Sequence, residues 1–380
     1  MNVRIKEYIK NTLLLIEDII RYNKCYYLKK GLNSKLTDFL LPSNFNKKGT
    51  KYYGLQDFIG NIKDFEKIVL MDIGARGDLP KKWSGYRNYF RIIGFEPAKD
   101  ECEVLEKNKK IDDQYFAEYI GDNKEKEFFI ASFPHSSGLK KTDTQFIERH
   151  YQTIQKNLKI IETKSIKTVS IDHLISNRAI EKPDFLKIDV EGFELEVLQH
   201  ASSIFDKCLG VFIEINLAPL KKNYRFNEIH SVLESSGFYV HEIFYEHSKA
   251  PKNSFSKKYQ FIKNVAVNHT QDFGQRMVAD FLYLKDPIKQ MQGGLSSFMW
   301  NDANVLKMVL IYNIYELFDC SIEILEFYNK NFSSALPFDL LKKLCIPPKC
   351  NPRFYEFNLY KIVSEYLDPQ ETLFKPHRRT

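Results

Sequence analysis

Tryptophan is nearly absent, with 2 residues in 380, and cysteine is sparse, with 6. Six cysteines (Cys25, Cys102, Cys208, Cys320, Cys345 and Cys350) scattered over so long a chain make no disulfide framework. Cys345 and Cys350 alone stand close together, as C-x4-C beside Pro347 and Pro348. No second pair completes a zinc ligand set. The cysteines therefore read as reduced thiols, which predicts a cytoplasmic protein. Also missing is any uninterrupted run of about 18 apolar residues, so no transmembrane helix is expected. The run Leu13–Ile16 is too short for a signal-peptide core and leads straight into Glu17 and Asp18. The sequence holds no internal repeat, no low-complexity tract and no RNP, zinc-finger or basic-zipper pattern, so no nucleic-acid partner is expected.

Hydrophobic residues make up 43% of the chain, which excludes intrinsic disorder and allows a large core. Basic residues outnumber acidic ones by 56 to 49, a net charge of +7. An excess that small fits ordinary solvation, and it also suits an acidic substrate or an anionic membrane face. At roughly 150 residues per domain, the length allows two to three units.

Residues 3–30 read as a helix, because Ile5, Ile9, Leu13, Ile16 and Ile20 share one face. That face fits a helix folded back on its own domain, an interfacial membrane helix or a homodimer contact. Pro42 to Gly49 reads as a polar connector. From about residue 66 the texture changes to short apolar runs separated by helical stretches. Ile68–Met71 ends at Asp72, Arg91–Phe95 at Glu96, Phe185–Ile188 at Asp189, and Leu209–Ile213 at Glu214. Helices are expected at Asp100–Lys109, Phe193–His200 and Asn227–Ser236, with further strands at 238–246 and 279–285. Alternation of this kind predicts an α/β fold, a doubly wound and mostly parallel sheet with helices on both faces. After Pro287 and the pair Gly293-Gly294, residues 301–330 are densely apolar and helical, with Asp302 as the candidate cap. The expected organisation is a helical N-terminal extension (1–50), an α/β domain (51–286) and a helical C-terminal extension (287–380).

Four strands ending in a carboxylate have a physical consequence. Ligands of open α/β sheets bind beyond the carboxyl ends of the strands, so Asp72, Glu96, Asp189 and Glu214 should converge on one rim. The first strand runs into Asp72-Ile-Gly74-Ala-Arg76-Gly77-Asp78. Glycines at such a turn let the backbone approach a ligand closely. Glu96 at the end of the next strand can accept hydrogen bonds from both hydroxyls of a ribose. Together they describe a nucleoside site. A dinucleotide site would want G-x-G-x-x-G, with pyrophosphate on a helix N-terminus. Here an acid, Asp78, stands beside the second glycine, where it repels phosphate and attracts a cation. That favours S-adenosylmethionine, which is positive at sulfur and at its amino group.

The run Asp184-Phe-Leu-Lys-Ile-Asp189-Val-Glu191-Gly-Phe-Glu-Leu-Glu-Val-Leu198 closely resembles the signature of the FkbM family of S-adenosylmethionine-dependent O-methyltransferases. The resemblance continues in order through the first glycine motif, Phe95-Glu96-Pro97, Ile120-Gly121-Asp122, Ser136-Ser137, Val169–Asp172 and Ile213–Ile215, over about residues 66–286. Arg76 departs from the family, which has Asn at that position. The resemblance implies a class I methyltransferase (Rossmann-like) fold. It implies that Asp72, Gly74, Arg76, Gly77 and Asp78 line the methionine and sulfonium part, that Glu96 holds the ribose, and that Gly121 and Asp122 approach the adenine. Asp189 and Glu191 come from the strand that faces the transferred methyl, so either can serve as general base. Alternatively, Asp189, Glu191 and Glu214 hold a divalent metal that polarises the acceptor hydroxyl. His135, in a loop near the cofactor mouth, is a candidate base or substrate ligand. Trp83 and Tyr86 are candidates for stacking on a sugar, although a tryptophan on a helix more often belongs to the core. The expected reaction is methyl transfer to a hydroxyl of a small-molecule or glycan acceptor, in surface-polysaccharide or secondary-metabolite biosynthesis. The competing expectations are a nicotinamide-dependent oxidoreductase on the same scaffold and a non-catalytic assembly subunit.

Overall fold

The computed structural model describes residues 55, 59, 65–77, 79, 81–150, 152–178, 180–245, 249–250, 274–293 and 300–345. The expected helix at 3–30, the connector at 42–49, Asp78, Gly294, Cys25 and Cys350 lie outside them.

Eleven strands are described: β1 (Ile68–Ile73), β2 (Phe90–Phe95), β3 (Gln114–Phe116), β4 (Glu125–Ala131), β5 (Ile160–Lys167), β6 (Phe185–Ile188), β7 (Gly210–Asn216), β8 (Phe238–Phe244), β9 (Lys249–Ala250), β10 (Gln275–Arg276) and β11 (Val278–Lys285). Seven form one sheet in the order β3-β2-β1-β6-β7-β11-β8. Strands β3 to β7 of that sheet run parallel, while β11 inserts antiparallel between β7 and β8. This mixed, doubly wound sheet is the class I methyltransferase fold. β1 and β6 are buried along nearly their whole length, as central parallel strands covered on both faces must be.

Alternation along the strands divides two hydrophobic layers. Val69, Met71, Ile73, Ile93, Leu186, Ile188, Val211 and Ile213 face the helices Ile171–Arg178, Glu194–Gln199 and Phe226–Ser235. Ile68, Leu70, Phe90, Ile92, Phe185, Leu282 and Leu284 face the helices that follow residue 300. The apolar stretch at 301–330 is two helices, Asp302–Ile314 and Phe318–Asn331, parted at Glu316, whose φ is +63°. The cap is Asn301, whose side chain accepts from the Asn304 amide at 2.9 Å, and not Asp302. From Val305 to Ile314 every residue of the first helix is buried, the mark of a helix enclosed on all sides. Its Lys307 reaches Asp184 Oδ2 at 3.0 Å and Glu66 Oε2 at 3.2 Å. The same Asp184 oxygen accepts from the Val69 amide at 2.8 Å, so one buried carboxylate ties helix to sheet. No helix among the described residues is long and apolar enough to cross a membrane.

The pairing of β4 with β5 has no counterpart in the sequence reading. β4 and β5 form a separate two-stranded antiparallel sheet, joined through residues 132–159. Trp83 is only 2% exposed and donates to the Tyr315 hydroxyl at 2.9 Å, packed against Phe90 and Phe185. A core indole cannot stack on a sugar, so Trp83 takes the core role of its two expected ones. Tyr86 is half-buried and packs against the same cluster.

Candidate functional site

The register builds the site. Ile73 pairs with both Phe95 and Ile188, and Ile188 pairs with Ile213. The next residue on each strand path is therefore Gly74, Glu96, Asp189 and Glu214. Three carboxylates thus stand on one rung at the carboxyl edge, with a glycine in the gap. Asp72 lies two residues deeper on the same face, directly opposite Lys187 in the ladder.

Asp72 does not stand alone. The Lys187 ammonium donates to its Oδ1 at 2.9 Å and to the Gly74 carbonyl at 3.4 Å. Burial pushes the Asp72 carboxyl up, partly opposed by Lys187. Burial alone would depress Lys187, but Asp72 and Asp189 outweigh it and keep the ammonium charged. The glycine turn follows at once. Gly74 and Gly77 both have φ near +85°, and the Gly74 and Ala75 amides both donate to the Phe95 carbonyl at 3.0 Å. A Cβ on Gly74 would come within 2.0 Å of the Asp189 carbonyl oxygen, whereas one on Gly77 would meet open space. Gly74 is required by close approach to the neighbouring strand, and Gly77 lies open to a ligand.

Glu96 is 5% exposed. Its Oε1 accepts from the Ala98 amide at 2.9 Å, and its other oxygen has no hydrogen-bond partner among the described residues. Burial raises its carboxyl, with the Ala98 amide and Arg76 opposing. Arg76 lies 3.6 Å from Glu101, and its Nε is buried without a hydrogen-bond partner among the described residues. Asp122, at the expected adenine end, is occupied by protein groups. Lys126 sits 2.9 Å from Oδ2, and Thr168 donates to Oδ1 at 3.2 Å. Burial opposes ionisation of Asp122, but Lys126 prevails and lowers its carboxyl. Gly121 packs too closely on Phe193 and Thr168 to carry a side chain.

At the other end of the rung, Asp189, Glu191 and Glu214 each offer an oxygen within 4.8 Å of the others. Glu191 adopts the left-handed conformation, φ +56°, ahead of Gly192 at +104°. A non-glycine residue held there carries backbone strain. Burial pushes Glu191 up to about 7, against the pull of Lys221, whose ammonium lies 3.3 Å from Oε2. Burial raises Glu214 well above its ordinary value, and Asp189 and Glu191 add to it. Behind them Glu194 is fully buried, accepts from the Gly192 amide at 2.8 Å, and is pushed up to about 7 by burial. His135 is exposed and makes no hydrogen bond or ion pair among the described residues, so no carboxylate orients its imidazole.

The structure thus brings Glu96, Gly74, Asp189, Glu191 and Glu214 to one edge. Lys187, Lys221 and Glu194 complete their electrostatics and were not assigned from sequence. A charged residue in the middle of the buried strand Phe185–Ile188 is a readable signal for Lys187. Lys221 and Glu194 have none.

One family model covers the residues of this edge. The family described as Methyltransferase FkbM domain matches residues 72–240. The Hexuronic acid methyltransferase AglP of Haloferax volcanii is 40% identical over 52 residues, which is 14% of this chain and 22% of that protein. The aligned stretch therefore spans about a fifth of that relative's length. Among solved structures, a TehB-like SAM-dependent methyltransferase from Corynebacterium glutamicum aligns over 62% of this chain and 90% of its own, at 8% identity and a TM-score of 0.28. A Precorrin-6y C5,15-methyltransferase from Geobacter metallireducens aligns over 63% and 92%, at 10% identity and a TM-score of 0.25. The stretch that matches the Methyltransferase FkbM domain model thus runs from Asp72 past Glu214 and takes in the whole carboxylate edge.

Proposed function

We propose that this chain is an O-methyltransferase that moves the methyl of S-adenosylmethionine to a sugar hydroxyl. The observation that carries the reading is the single rung of Glu96, Asp189 and Glu214 with Gly74 between them. An acid-lined edge favours a sulfonium and disfavours a phosphorylated coenzyme. Glu96, with one uncommitted oxygen, suits the ribose hydroxyls. Gly74 and Gly77, with the unpartnered Arg76 Nε, suit the methionine portion.

Bound S-adenosylmethionine supplies an electrophilic methyl on sulfur. The chain's own part is to hold an acceptor hydroxyl and take its proton. Glu191, pushed up to about 7, is matched to that task at neutral pH, since a base works best near the working pH. Lys221 and Lys187 keep the surrounding carboxylates from neutralising one another by repulsion alone. Fixing hydroxyl and methyl in line supplies the rest of the acceleration.

A second reading of the same atoms has its own support. Three carboxylates with oxygens within 4.8 Å match the hard oxygen ligands that a divalent cation takes. Asp189, Glu191 and Glu214 would hold it, and it would polarise the acceptor hydroxyl.

A hexuronic residue is the first acceptor to test, because the Haloferax protein that shares a stretch of this sequence carries that name. The net charge of +7 agrees with an acidic acceptor. The reaction would belong to surface-polysaccharide or related biosynthesis in the cytoplasm. The test is incubation of the intact chain with methyl-labelled S-adenosylmethionine and uronic-acid oligosaccharides, followed by mild alkali. Label on the sugar that survives alkali is a methyl ether and supports the reading. Label released by alkali is a carboxyl ester and contradicts it.

A further inference from the structure

We propose that Phe133 and His135 form the platform on which the acceptor's pyranose ring lies. The inference rests on the O-methyltransferase reading and names the acceptor subsite of that same edge. Phe133 is 45% exposed, the most exposed phenylalanine among the described residues. His135 is exposed as well, and the two rings stack with centroids 5.1 Å apart and planes 29° from parallel.

The loop beneath the rings is built rigidly. Pro134 opens the 3-10 turn Pro134–Ser136. The Ser136 amide donates to the Phe133 carbonyl at 2.9 Å and the Ser137 amide to the Pro134 carbonyl at 3.1 Å. The Phe133 amide donates to the Asn157 carbonyl at 3.1 Å, and the Ser137 hydroxyl accepts from the Ala131 amide at 3.1 Å. Such a turn displays side chains on fixed stems, which lowers the ordering cost of binding.

The same loop is anchored to the carboxylates. Lys221 donates to the Ser136 carbonyl at 3.0 Å, and its ammonium lies 3.3 Å from Glu191. A Cβ on Gly138 would come within 2.9 Å of the Glu191 Cβ. The stacked pair therefore lies next to Ser136, which Lys221 holds, and three residues before Gly138, which packs on Glu191, the proposed proton acceptor. A pyranose has an apolar C–H face and a polar edge. The C–H face suits the negative face of an aromatic ring, and the imidazole nitrogens can bond the edge hydroxyls. An alkyl chain would want a continuous apolar groove, but the flanking Ser132, Ser136 and Ser137 are polar. The occupant is a sugar ring.

The experiment is saturation-transfer NMR on the intact chain with S-adenosylhomocysteine present. The probes are methyl β-D-glucuronide and octyl β-D-glucopyranoside below its micellar concentration. Transfer to the ring C–H protons should fall at least fivefold in Phe133→Ala and be retained in Phe133→Trp. S-adenosylhomocysteine titration of Phe133→Ala should match the wild type, which shows that the fold and the cofactor end are intact. Absence of ring transfer in the wild type overturns the platform, as does equal transfer in Phe133→Ala or transfer confined to the octyl chain. Failure of the wild type to bind S-adenosylhomocysteine would instead overturn the methyltransferase reading beneath it.

Discussion

Lys187 and Asp72 face each other across β6 and β1, their charged atoms 2.9 Å apart, directly below the glycine turn. The pair spends one acid of the predicted rim on a buried cation and leaves Glu96, Asp189 and Glu214 at the edge. Lys187→Met leaves Asp72 buried and unpaired, a change expected to cost about 3–5 kcal/mol. Urea denaturation should show that loss, and Asp72→Asn combined with Lys187→Met should recover much of it. A single variant as stable as the wild type would contradict the pairing.

The two glycines of the turn should respond differently. Gly74→Ala places a methyl 2.0 Å from the Asp189 carbonyl oxygen, so the strands must part and the cofactor end is lost. Gly77→Ala meets no atom and pays only for its left-handed backbone, roughly 1–2 kcal/mol. Thermal melting and S-adenosylhomocysteine titration on both variants check this, and equal behaviour would count against it.

Glu194 predicts a pH-dependent stability. Its buried carboxyl titrates near 7, while in the unfolded chain it titrates near 4.5. A raised acid stabilises the fold fully below the unfolded value, and that contribution is lost as pH rises from about 4.5 through about 7. Glu194→Gln keeps an acceptor for the Gly192 amide and removes the ionisation. Its melting temperature should fall less than the wild type's between those values. Parallel profiles would refute the assignment.

On the second reading, the carboxylates of Asp189, Glu191 and Glu214 take up one divalent cation. Manganese added to the intact chain should lose its free paramagnetic signal up to one equivalent, and Glu214→Gln should abolish the uptake. An unchanged signal in the wild type would leave the three acids to proton transfer alone.

Much of the edge was legible in the sequence because short apolar runs that end in an acid have a fixed meaning in parallel sheets. Ile68–Met71 and Phe185–Ile188 became β1 and β6, and Glu96 and Asp189 stand where strand ends must place them. The antiparallel insertion of β11 between β7 and β8 was not legible, because order within a sheet is set by tertiary packing. The β4–β5 pair was hidden too: β4 holds the apolar run Phe128–Ala131, but its partner Ile160–Lys167 is largely polar and lies 28 residues further on. Asp122 illustrates another limit. Its place at a turn was visible, but Lys126 and Thr168, which occupy its oxygens, are brought there by the pairing of β4 with β5. The burial of Trp83 under Tyr315 depends on a helix more than two hundred residues away in sequence.

The most direct test of the central claim is calorimetric titration of the intact chain with S-adenosylhomocysteine, beside NADH as the phosphorylated alternative. One equivalent of S-adenosylhomocysteine should bind, NADH should not, and Glu96→Ala should weaken binding by about ten- to a hundredfold, the worth of a hydrogen bond to a charged group. Binding of NADH in its place, or an affinity untouched by Glu96→Ala, would contradict the account.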